Sequence, residues 1–251
     1  MHYKFSIIIP NRNGAELLQK NLPFVLDAAG GNEIIVVDAF STDGTWEILK
    51  SFGKRVHVFQ KKGNVSVGRN EIIKKSKSEL IAFTDADCIV NRFWLESLVA
   101  AFSEKNVVAS GGFCGTSENS NYLQKLIGRE LEDRFNHFPK YVSRFPFMNA
   151  CVSAKLAKRN LIDERLGAAE DADFFFRFSK KGKVVYVPAA KISHNHRAEL
   201  ADFFRQQFTY GKYAPLMYSK YISMAGGDKI SKTDFMRRLV AIHFERTNAD
   251  L

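Results

Sequence analysis

The chain has 251 residues, 45% hydrophobic and 25% charged, with 37 Lys and Arg against 27 Asp and Glu for a net charge of +10. That size and balance fit one globular domain with a small appendage, and exclude a disordered or fibrous chain. No run of 18 apolar residues occurs, so no transmembrane helix is expected; the basic surface favours anionic partners, but no zinc finger, RNP motif or basic zipper makes nucleic acid one of them.

Met1-His2-Tyr3-Lys4 runs straight into Phe5-Ser6-Ile7-Ile8-Ile9, so no cleaved leader is expected. This β-branched run ends at Pro10 and predicts a strand buried on both faces. Ala15 to about Ala28 predicts a helix with Leu17, Leu18, Leu22, Val25 and Leu26 on one side, kinked or restarted at Pro23 and closed by Gly30-Gly31. Glu33 to Val37 is a second strand. Ser41-Thr42-Asp43-Gly44-Thr45 supplies capping chemistry for a helix to Phe52, with Asp43 serving the cap. Strands follow at 56–59, 80–84 and 107–110, and helices at 67–77 and 92–104. Gly111 to Asn121 predicts a flexible loop, and 122–138 a helix. Phe147 to Ala150 predicts a strand lining a pocket, and 171–180 a helix. Three odd, scattered cysteines, Cys88, Cys114 and Cys151, predict free thiols in a reducing compartment.

Strand and helix alternate at short intervals over residues 4–111, which calls for right-handed crossovers and a mainly parallel sheet flanked by helices. Ligands bind at the carboxyl ends of such strands. The polar residues there are Asn11, Arg12 and Asn13, then Asp38, then Asp85 and Asp87. The two carboxylates of Asp85-Ala86-Asp87 emerge where a buried strand surfaces. They repel unless a cation lies between them, and a hard divalent ion bridging to a diphosphate supplies it; a solvated turn is the plainer alternative.

The order Ser6-Ile-Ile-Ile-Pro10-Asn-Arg-Asn13, then Glu33-Ile-Ile-Val-Val-Asp38-Ala-Phe-Ser-Thr-Asp-Gly-Thr45, resembles the opening of the family 2 glycosyltransferases of the GT-A fold. Gly68-Arg69-Asn70, Asp85-Ala86-Asp87, Glu170-Asp171-Ala172-Asp173 and the strand Val185 to Pro188 with Ile192-Ser193-His194-Asn195-His196 continue the match, over residues 4–212. Ala39 departs from the acid or amide usual there. The Gln-x-x-Arg-Trp sequence of processive synthases is missing, which favours transfer of a single sugar.

The resemblance implies an α/β GT-A domain over residues 1–212, with a nucleotide-binding half (1–111) and an acceptor half (112–212), and a C-terminal helical extension (213–251). It implies metal-dependent, inverting transfer of a hexose or N-acetylhexosamine from a nucleotide-diphosphate sugar, UDP-sugar favoured. The acceptor would be a hydroxyl of a glycan or a polyprenyl or other lipid-linked molecule. Pro10, Asn11 and Asn13 would shape the loop beside the base. Asp38 would accept from a base N–H (an Asx turn is its structural alternative), and Arg69 would contact diphosphate or base. Asp85 and Ala86 would lie on the nucleotide, and Asp87 and His194 would hold Mg²⁺ or Mn²⁺. Asp171 would be the general base, positioned by Glu170. Asn149 would hydrogen-bond a sugar hydroxyl, with core packing as the alternative. The expected location is cytoplasmic, and the basic aromatic segment from Asp202 on suits contact with the inner membrane face. The rival readings are a sugar-phosphate nucleotidyltransferase, which lacks its Gly-rich Arg/Lys loop here, and a non-catalytic nucleotide-sugar or anionic-surface binding module.

Overall fold

A computed structural model describes residues 4–224. In chain order the elements are β1 (Phe5–Asn11), α1 (Ala15–Ala29), β2 (Glu33–Asp38), α2 (Thr45–Ser51), β3 (His57–Gln60), α3 (Val65–Lys75), β4 (Leu80–Thr84), β5 (Cys88–Val90), α4 (Trp94–Ala100), β6 (Val107–Thr116), α5 (Tyr122–Asn136), β7 (Asn149–Ser153), α6 (Ala154–Arg159), α7 (Glu170–Ser179), β8 (Lys183–His194) and α8 (Leu200–Met224). The eight strands form one sheet in the order β3-β2-β1-β4-β7-β6-β8-β5. The first four are mutually parallel; β7 is antiparallel to both β4 and β6, β8 runs parallel to β6, and β5 antiparallel to β8. The sheet is therefore mixed.

The core follows from the sequence. Ile7, Ile8 and Ile9 of β1, Ile34 to Val37 of β2 and all five residues of β4 are buried, because helices cover both faces of the parallel half. Gly30, at φ 54°, ends α1 in the left-handed conformation that glycine adopts without strain. Pro23 does not interrupt α1, which runs unbroken through it.

Four points differ from expectation. Gly111 to Thr116 is not a loop: it continues β6, with Gly111 opposite Tyr186 and Thr116 opposite His194 on β8. A side chain at Gly112 would collide with the Ala190 carbonyl, so glycine serves close strand approach here, not flexibility. The expected helix over 92–104 is shorter, α4 giving way to a 3₁₀ turn at Ala101–Ser103. The short strand β5 was not foreseen. Finally, α8 runs continuously across position 212, and the rest of the expected extension, from 225 on, lies outside the described residues.

Candidate active site

The loops after β1 and β2 are cross-braced. Asn13 donates its backbone N–H to Ser41 Oγ at 2.7 Å, and its own Oδ1 accepts from Thr42 N at 3.0 Å. Asp43 accepts from Ala15 N at 3.0 Å and Thr45 N at 3.1 Å, so one carboxylate caps the starts of α1 and α2 together. Between these loops Asp38 is fully buried. Its oxygens accept from Ser41 N, Ser41 Oγ and, at 2.9 Å, Gln60 Nε2. The carboxylate thus braces the backbone three residues on. Asn11 is buried beside it with an unpartnered Nδ2, and Pro10 lies in β1 opposite Val37.

Two strands away in the sheet, β4 ends in a hydrogen-bonded turn, Cys88 N to Asp85 O at 3.1 Å. Arg69, on α3, is 4% exposed and reaches this turn. It donates from Nη2 to Asp85 at 2.8 Å and from Nη1 to Glu170 at 2.6 Å, with its guanidinium 4.7 Å from the Phe147 ring centroid. The expected role of Arg69 is thus corrected. Its fork holds two carboxylates rather than lying open to a phosphate, because burial of a guanidinium requires paired anions. Glu170 opens α7 and is buried. Among the described residues no ion pair holds Asp171, the next residue, although Arg69 attracts it from a distance; one of its oxygens accepts the adjacent Ala172 N–H at 2.7 Å. Burial, then repulsion from Glu170, pushes the Asp171 carboxyl up to about 7. Two adjacent acids thus acquire different environments, one clamped and one able to exchange a proton near neutrality.

On the other side of the turn, Asp87 faces His194. Pairing of Cys88 with His194 on β8, and the bond from Asn195 N to Asp87 O at 2.9 Å, bring His194 Nε2 to 3.3 Å from Asp87 Oδ2. Burial works against the charge of both groups. Their mutual attraction outweighs it, so the Asp87 carboxyl is lowered and the His194 imidazole raised. His194 Nδ1 lies 3.1 Å from His196 Nδ1; burial and the neighbouring imidazole lower His196 to about 4, which keeps it neutral and able to accept a hydrogen bond from His194. Ala86, between the acids, has its carbonyl tied to α1 by Asn21 Nδ2 at 2.9 Å.

The family model for "Glycosyl transferase family 2" matches residues 6–166, more than half of the chain. The chain belongs to this family. It is 26% identical over 235 residues to a pre-mycofactocin glycosyltransferase of Mycobacterium tuberculosis, covering 86% of this chain and 48% of that one. The chain therefore spans about half the length of that curated relative. Its fold is similar to S. aureus TarS, solved with UDP-GlcNAc (TM-score 0.63, 19% identity, covering 78% of this chain and 59% of that one). It is also similar to the mannosyltransferase PcManGT of Pyrobaculum calidifontis, solved with GDP-Man and Mn²⁺ (TM-score 0.68, 16% identity, covering 94% of this chain and 67% of that one). These likenesses establish a GT-A glycosyltransferase fold.

This family 2 glycosyltransferase has donors that fit a divalent ion. Ligand atoms of Asp87, Cys88 and His194 lie within 4.8 Å of one another. Sequence reasoning overlooked Cys88. Burial and the nearby acids hold its thiol well above the ordinary range.

Three further residues escaped the sequence reading. Phe40, exposed and next but one to Asp38, has φ 56°, and Ala169, immediately before Glu170, has φ 60°. Left-handed backbone at such residues is strained, and such strain clusters at functional sites. Tyr210, on α8, is the third. It is 46% exposed, and desolvation with the charges of Asp171, Glu170 and Asp85 raises its hydroxyl to about 12. Only folding could reveal that proximity across forty residues.

Asn149 is the clearest correction. It is fully buried, donates to the Phe113 and Ala190 carbonyls at 2.8 Å each, and accepts from Trp94 Nε1 at 2.7 Å. Both amide hydrogens are taken, and full burial keeps the remaining acceptor lone pair away from a sugar. Asn149→Ala leaves three buried partners unpaired and is expected to lower stability by about 2–4 kcal/mol, with nucleotide affinity within about twofold of wild type. Denaturant titration and nucleotide binding measured on the same variant check this; unchanged stability with weakened donor affinity would restore the sugar-contact role.

Proposed function

We propose that the chain transfers one sugar from a nucleotide-diphosphate sugar, with UDP the favoured carrier, to an acceptor hydroxyl with inversion at the anomeric carbon. The observation that carries this reading is the division of labour at the carboxylates. Arg69 binds Asp85 and Glu170, and Asp171 is left with a pKa of about 7. A base poised near the working pH takes the acceptor proton as the oxygen attacks. Asp87 and His194 would hold the divalent ion, which when bound neutralises charge on the departing diphosphate. Arg197, exposed beside them, adds positive charge felt by Asp87. The Asp38 pocket, with Gln60 and Ser41 as rearrangeable partners, would receive the base, and Phe40 offers an aromatic face beside it. UDP-GlcNAc in TarS, and GDP-Man with Mn²⁺ in PcManGT, support a nucleotide-sugar donor with a metal. The acceptor would be a glycan or a lipid-linked hydroxyl.

A thermal-shift panel of UDP, GDP, CDP and dTDP, each with and without Mn²⁺, tests the donor class. UDP with Mn²⁺ is expected to raise Tm most, by about 5–10 °C at a hundredfold excess over Kd. Asp87→Ala is expected to remove the metal-dependent part. Equal shifts with and without metal would overturn the assignment of Asp87.

A further inference from the structure

The first half of α8 is barely packed: between 200 and 212 only residues 203, 206 and 207 are even half-buried among the first ten positions. Leu200, Phe204 and Phe208, at intervals of four, form an apolar stripe exposed to 55%, 61% and 78%. A second stripe begins beside it. Tyr122 and Leu126 of α5, also four apart, are 84% and 55% exposed. The two helices start from one junction. Asn121 Nδ2 donates to the Ala198 carbonyl at 3.0 Å and Gln124 Nε2 to the His196 carbonyl at 2.7 Å, while a capping box between Asn121 and Gln124 fixes the start of α5.

Exposed aromatic and aliphatic side chains in such a group mark an interaction surface. Its rim carries exposed charges of both signs. Lys125, Arg129, Arg197 and Lys212 are exposed; the acids nearby are Glu118, Glu130, Glu199 and Asp202, the last paired with Arg205 at 2.7 Å. The whole chain carries +10. No helix among the described residues is long and apolar enough to cross a membrane. Amphipathic helices with Phe and Leu on one side and a cationic protein behind them lie in the plane of a bilayer interface.

The opposite side of α8 looks inward. Tyr213 packs its hydroxyl where a Gly167 side chain would lie, and Lys220 bonds Asp163 at 2.9 Å and Asp173 at 2.7 Å. Tyr210 lies one turn before Tyr213, close enough to the acids for the charges of Asp171 and Glu170 to act on its hydroxyl. One helix thus joins the exposed stripe to the candidate site.

We propose that the α5–α8 apolar surface seats on an anionic lipid bilayer, so that the acceptor is a lipid-borne hydroxyl delivered at the membrane surface to Asp171. The choice of acceptor rests on the transfer reading above; the seating itself does not.

The test is co-sedimentation of the full 251-residue chain with vesicles of phosphatidylcholine containing 30% phosphatidylglycerol (about a third anionic lipid), without donor or metal. The chain is expected to pellet with these vesicles, to bind pure phosphatidylcholine at least tenfold more weakly, and to lose affinity about tenfold as salt rises from 0.1 to 0.5 M. The double variant Phe204→Ser, Phe208→Ser is expected to lower the partition coefficient at least tenfold while keeping the wild-type Tm, which separates lost contact from misfolding. Three outcomes overturn the proposal: no binding of wild type to anionic vesicles, equal binding by the double variant, or a wild-type dimer that becomes monomeric in the variant with vesicle binding unchanged. The last would make a second copy of the chain the occupant. Failure of vesicle binding leaves the transfer chemistry standing, and inactivity of Asp171→Asn leaves vesicle binding untouched.

Discussion

Asp171→Asn is expected to lower sugar transfer by about 10²–10⁴-fold while leaving nucleotide affinity nearly unchanged. The amide keeps the shape of the side chain and removes its basicity. In the wild type, kcat should climb with pH through about 7 as burial and Glu170 repulsion are overcome and Asp171 ionises. The variant should lack that limb. The same substitution carries a stability signature of opposite sign. The carboxyl holds its proton more tightly folded than unfolded, so the group has no effect below the unfolded value of 3.8. Its penalty grows as pH rises from there to about 7, and is complete above. At pH 8 the Asn variant should therefore be more stable than wild type, by roughly 1–3 kcal/mol. Calorimetry at pH 5 and pH 8 with a donor-turnover assay reads both effects. A variant that loses activity but gains nothing at pH 8 would mean that Asp171 is not held in a desolvated, repulsive setting. A variant with wild-type turnover would end its assignment as the base.

Arg69→Met is expected to be more damaging to the fold than any other single change at the site. Methionine fills similar volume against Phe147 but leaves Asp85 and Glu170 without their shared cation in a buried setting. Breaking a buried ion pair from one side costs about 3–5 kcal/mol, of which the unpaired charge is the larger part. The triple change Arg69→Met, Asp85→Asn, Glu170→Gln should recover a good share of that loss, because it removes the orphaned charges too. Urea unfolding of both variants measures it. If Arg69→Met alone were neutral, the guanidinium would be better described as an open phosphate ligand than as a clamp.

Much of the architecture is legible in the residues. The uninterrupted apolar runs of β1, β2 and β4 announce strands covered on both faces, and polar residues at their carboxyl ends announce a crevice. Asp38, Asp85, Asp87, Asp171 and His194 do converge on the same end of the sheet. What stayed hidden was decided by long-range packing. Asn149 reads as a polar residue in a lining strand, yet its partners Trp94, Phe113 and Ala190 come from three separate elements. Gly111-Gly112 reads as flexibility, while Gly111 makes room for the Phe145 ring and Gly112 lets β6 and β8 pass closely. Arg69 has a phosphate ligand's chemistry, and only Glu170, a hundred and one positions later, shows what neutralises it. Tyr210 lies in a helix whose inward face nothing local reveals.

The sheet order holds one more implication. β4 and β5 are joined by a tight turn, 85–88, yet three strands separate them in the sheet. Across a flat sheet that separation would be about 19 Å, whereas the ends of such a turn lie within about 7 Å. The far edge must curl back toward the middle, and Asp85-Ala86-Asp87 is the buckle that holds it there. The number of residues in this buckle is consequently as constrained as their identity: natural drift can change Ala86, but a lengthened or shortened segment would let the sheet spring open and pull His194 off its carboxylate.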